Sequence, residues 1–121
     1  MGVATTRFDK YSIGDFVFGA AETTKELAVN GIIGVKGEVA KCLVTVPNFT
    51  NAVNAVVSVE NEDSFEIWAS GALPEAEDYD ITLARGECIL QGKSTEKFKV
   101  TLSGVPGGSG GTVSVTIYIK T

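Results

Sequence analysis

Two stretches of the chain alternate so strictly that they dictate its fold class. Residues 96–102, EKFKVTL, place Phe98, Val100 and Leu102 on one face and Lys97, Lys99 and Thr101 on the other. Residues 112–120, TVSVTIYIK, set Val113, Val115, Ile117 and Ile119 against Ser114, Thr116 and Tyr118. A period of two in β-branched residues is the mark of a half-buried strand. Between them lies SGVPGGSGGT, residues 103–112, which reads as the wide loop of an antiparallel hairpin with an exposed tip.

Further strands are expected at KCLVTV (41–46), VNAVVSV (53–59), SFEIWA (64–69), ITLAR (81–85) and ECILQ (87–91). In SFEIWA, Phe65 and Ile67 are expected inward and Trp68 outward. FVF (16–18) and GIIGV (31–35) also look like strands. AETTKELAV between them could form a helical turn, weakened by its two threonines. Residues 1–12 are polar around isolated Phe8 and Tyr11 and read as an arm. The expected architecture is all-β. It is a β-sandwich, Ig-like or jelly-roll-like, of about seven to nine short antiparallel strands. An extended N-terminal arm, 1–15, precedes a single domain over 16–121. The length of 121 residues suits one such domain.

Composition narrows the function. There is no histidine, which removes the commonest general base and the Ser-His and Cys-His nucleophile pairs. The two cysteines, Cys42 and Cys88, cannot make a four-ligand zinc site. Each sits in a strand-like run. Buried free thiols are the first expectation, with a cross-sheet disulfide as the alternative. The glycine run lacks the Lys-Ser/Thr and the following helix that a phosphate cradle needs. No catalytic, cofactor-binding or metal residues are assigned. The acidic turns Glu60–Asp63 and Glu75–Asp80 read as solvated loops, with calcium as their functional alternative.

The net charge is −5 and the ten basic residues are scattered, so nucleic acid is not an expected partner. No apolar run is long enough to cross a bilayer, and the first residues carry no secretory signal pattern. Trp68 and Tyr118 fall on the polar sides of their strands. Such aromatics pack under a loop, meet a subunit, or stack on sugar rings. Phe8, Tyr11, Trp68 and Tyr118 are therefore the candidate partner-contact residues.

The stretches VPNFTNAVNAVVSVENED, SGALPE and FKVTLSGVPGGSGGTVSVTIYIK resemble small structural proteins of tailed bacteriophages. The resemblance covers about residues 44–120 and rests on turn and strand signatures. It implies a head decoration (cement) protein on the capsid exterior, assembled in the host cytoplasm and released by lysis. The implied partners are the major capsid protein and two further copies of the chain, in a homotrimer. No enzyme activity is implied. The alternative is a carbohydrate-binding β module of a phage tail, baseplate or adhesin, using Trp68 as its platform.

Overall fold

The computed structural model describes residues 8–28 and 35–120. Among them there is no helix. Nine strands run in order: β1 (Phe8–Phe18), β2 (Thr24–Ala28), β3 (Gly37–Val46), β4 (Ala55–Glu60), β5 (Glu66–Ala69), β6 (Glu77–Thr82), β7 (Ile89–Leu90), β8 (Lys97–Leu102) and β9 (Gly111–Lys120). One sheet has the order β1-β9-β3-β6, with β7 also beside β3, and the other has the order β2-β8-β4-β5. With β7 set aside, the eight remaining strands pair from the outside of the sequence inward: β1 with β9, β2 with β8, β3 with β6, β4 with β5. That is one long hairpin rolled onto itself, the order of a jelly roll rather than an Ig sandwich.

The core lies between the sheets. Its floor is the inner row of β9, with Val113, Val115, Ile117 and Ile119 at most 1% exposed. Phe16, Phe18, Val44 and Val46 flank it, and Val57, Val59, Phe98 and Val100 face it from the second sheet.

Four expectations need correction. Residues 8–15 are not an arm. They belong to β1, paired with β9 from Phe8↔Lys120 to Phe18↔Gly111. Their alternation is hidden by a bulge between Ser12 and Gly14. Tyr11 and Ile13 turn inward before it, and Phe16 and Phe18 after it, so the inward phase moves from odd to even positions. The arm's residues 1–7 lie outside the described residues, as do 31–34 of GIIGV.

Second, residues 24–28 are strand, not a helical turn. TKELA is an edge strand against β8, with Lys25 and Leu27 on its half-buried face.

Third, β8 and β9 are not a hairpin. They lie in different sheets, and SGVPGGSGGT crosses from one to the other. Its tip, Gly108 and Ser109, is exposed as expected, but the loop is tied to its neighbours. Asn51 donates its backbone N–H to Pro106 O (2.8 Å) and its Nδ2 to Val105 O (3.0 Å), and Gly107 N–H reaches Ala20 O (3.0 Å). The glycines permit close approach. A Cβ on Gly110, at φ +73°, would collide with the Phe18 carbonyl oxygen, and one on Gly111 would lie 2.7 Å from the Phe49 ring.

Fourth, the phase of 64–69 is reversed. A bulge pairs Val59 with Trp68 but Glu60 with Glu66. Trp68 therefore shares the inner face with Val59 and is 7% exposed, whereas Phe65 is 69% exposed.

The Glu96 side chain is buried, and its carboxylate accepts the backbone N–H of Gln91 (2.7 Å) and of Lys93 (2.9 Å), closing the turn before β8. Cys42 and Cys88 are buried and unbonded. Burial, then the neighbouring Cys88, pushes the Cys42 thiol up to about 12. Burial, then Glu96 and Glu87, does the same for Cys88.

Gly110→Ala should cost about 3 kcal/mol or more in denaturant melts, because strain and collision add. Gly86→Ala, at φ +75° but in open space, should cost only about 1–2 kcal/mol. Glu96→Ala should cost about 3 kcal/mol by stranding two N–H groups. Native thiols should resist disulfide reagents at pH 8 and react on unfolding. Because the folded thiols hold protons that the unfolded chain loses from about pH 9, stability is full below that pH. It should fall by up to about 3 kcal/mol per pH unit above it. A C42A/C88A variant should show a shallower fall in pH-dependent melts.

Candidate contact site

The outer face of the first sheet is built from rows that the register fixes. Lys10 on β1 lies opposite Tyr118 on β9, which lies opposite Lys41 on β3, which lies opposite Thr82 on β6. The next row toward the start of β1 is Phe8, Lys120, Glu38 and Ile89. On the other side comes Ser12, Thr116, Leu43 and Asp80. Antiparallel neighbours in one row share a face. A bulge at Val39/Lys41 adds Ala40, whose small side chain leaves room between the rows.

The result is an open hollow of about 550 Å³ lined by Phe8, Ala40, Lys41, Leu43, Asp80, Thr82 and Tyr118. Its walls are mostly apolar. Lys41 Nζ donates to Asp80 Oδ2 at 2.9 Å across one side. Both ends of that pair are solvent-exposed, so it contributes under about 1 kcal/mol and serves mainly to hold the rim. Lys10 and Lys120, beside Tyr118 and Phe8, are in no ion pair among the described residues.

The outer face of the second sheet is chemically different. Lys97 bridges Glu26 (2.9 Å) and Glu60 (3.5 Å), and Lys99 sits 3.8 Å from Glu60. The hydrogen bond to Glu26 holds the Lys97 ammonium above its ordinary range. That face neutralises its own charges.

Of the four candidate contact residues, the fold brings two together. Phe8, 50% exposed, and Tyr118 line the same hollow although they come from opposite parts of the sequence. Tyr11 turns to the other side of β1 and packs on the core. Trp68 lies between the sheets, and its Nε1 donates to Glu87 Oε1 at 3.2 Å. It is not an exposed platform, which removes the basis for a sugar site at that residue. Sequence reading missed Leu43 and Ala40. Leu43 does carry a signal, as an apolar residue on the Lys41–Leu43–Thr45 side of β3 that should be polar.

The acidic turns are engaged separately. Glu75 Oε2 accepts Phe49 N–H (3.0 Å), Glu77 accepts the Tyr79 hydroxyl (3.0 Å), and Asp80 holds Lys41. Among the described residues no three acidic or thiol groups gather to hold a metal ion.

No protein-family model matches the sequence, and no curated protein matches it. Among solved structures it is similar to one of infectious bursal disease virus, Gx strain, with TM-score 0.39 and 14% identity over 96% of this chain and 32% of that one. A structure of the Gt strain gives TM-score 0.37 and 10% identity over 95% of this chain and 33% of that one. The chain thus spans about a third of the length of these viral chains, and overlap this loose transfers no role from them.

Proposed function

We propose that this chain is a non-enzymatic virion structural protein that decorates and stabilises a tailed-phage capsid. In this reading it sits on the exterior as a homotrimer against the major capsid protein. The observation that carries it is the aromatic hollow on the outer face of the first sheet. A sheet face that meets only water is polar, and this one presents Phe8, Leu43 and Tyr118 around a rimmed depression. Such a surface is suited to docking protein and holds no array of groups arranged for chemistry. The resemblance of residues 44–120 to phage head proteins supports the same reading. The jelly roll is compatible with it but hosts many functions and does not decide it.

The test is co-sedimentation of the purified chain with empty heads of the phage whose genome carries it. Saturable binding and heads that withstand more heat are expected. Phe8→Asp should weaken binding about tenfold or more. Heads that neither bind the chain nor change in stability would overturn the proposal.

A further inference from the structure

A hollow of this kind needs an occupant, and the chain carries one. The β4–β5 turn, Asn61–Phe65, presents Phe65 with 69% of its surface exposed. Exposed Glu62, Asp63 and Glu66 surround it. The turn is rigid. Asn61 Oδ1 accepts the N–H groups of Asp63 (2.9 Å) and Phe65 (3.0 Å), and Asn61 N–H donates to Phe65 O (2.9 Å). Ser64 is held at φ 60°. Little ordering entropy is left to lose when this tip binds.

The hollow is the chemical complement of that tip. Aromatic and aliphatic walls match Phe65, and Lys10 and Lys120 beside them are in no ion pair among the described residues, although Glu38 lies opposite Lys120. On a chain of net charge −5, the rows around this apolar depression carry Lys10, Lys41 and Lys120 against Glu38 and Asp80, a local excess of positive charge that favours an acidic, aromatic ligand. Phe65 cannot reach its own hollow. It projects from the second sheet, and the hollow opens on the outward side of the first. Strand directions nevertheless put both at one end of the roll, because β1 starts and β4 finishes there.

We infer that the Phe65 tip of one copy docks, head to tail, into the Phe8–Leu43–Tyr118 hollow of a second copy of this chain. This rests on the reading of the hollow as a protein-docking site and names its partner. Donor and acceptor are different surfaces, so the contact is heterologous and propagates until a ring closes or a filament grows. The tip is small, so the contact is weak and concentration-dependent.

The test is sedimentation velocity of the full chain from micromolar to millimolar concentration. Mass should rise with concentration. Salt at about 1 M, where screening falls to about 3 Å, should weaken association about tenfold. Phe65→Ser and Phe8→Asp should each weaken it about tenfold or more while leaving the melting curve unchanged, since both residues are exposed. An equimolar mixture of the two variants should form one-to-one dimers and nothing larger, because only one live tip and one live hollow remain. A chain that stays monomeric throughout, or an F65S variant that associates like the parent, overturns the inference. If such a monomer still binds heads and loses them on F8D, the proposed function stands and only the self-docking falls. If self-association holds but heads do not bind, the reverse is true.

Discussion

The inner row of β9 is the interaction on which the rest of the structure depends. Val113, Val115, Ile117 and Ile119 are almost wholly removed from water, each contributing about 1.5–3 kcal/mol relative to exposure. β9 lies between β1 and β3, so this row anchors the middle of the first sheet as well as the core floor. It also sets the outer face. A strand has a period of two, so burying Ile117 and Ile119 forces Tyr118 outward between Lys10 and Lys41. Core and contact site are two sides of one alternation.

Where alternation is unbroken, the sequence can be read directly. β8 and β9 run as their residues require, and the two-sheet architecture follows from strands of that kind. Misreadings cluster at bulges. At Ser12/Gly14, Val39/Lys41 and Val59/Glu60 an extra residue changes the phase, and inward positions on one side of each bulge become outward on the other. A pattern that looks aperiodic over Phe8–Phe18 is two periodic halves out of step. Trp68 reads as outward for the same reason. Its place opposite Val59 depends on a partner strand that a local window does not contain.

Long-range pairing was illegible for a different reason. β8 and β9 are neighbours in sequence, and a glycine-rich link between two clean strands is a hairpin signal by any local rule. In the roll they take partners from distant segments, β2 and β4 for one, β1 and β3 for the other. The glycines then serve close packing against Phe18 and Phe49 across the end of the roll. Phe8 and Tyr118 meet only because β1 and β9 close the first sheet, so their juxtaposition is a property of topology, while the outward turn of Tyr118 alone follows from the alternation of β9.

The two ends of the roll divide structure from contact. At one end, the β1–β2, β3–β4, β5–β6 and β8–β9 connections bond to one another through backbone groups: Gly107 to Ala20, Asn51 to Pro106, Ala76 to Pro47, Ser103 to Asn54. Four crossings between sheets meet there, and their backbone groups find partners in neighbouring loops, as buried polar groups must. Side chains such as Val105 are exposed at that end as well, but the backbone groups named are engaged in the loop network. At the other end, the buried Glu96 closes one turn and Asn61 another, each using a single side chain to fix a short loop. This economy leaves Phe65 and the Phe8–Tyr118 hollow exposed yet held in place. Surfaces that are both apolar and rigid lose little on docking, and here they share the end of the molecule that the loop network does not occupy.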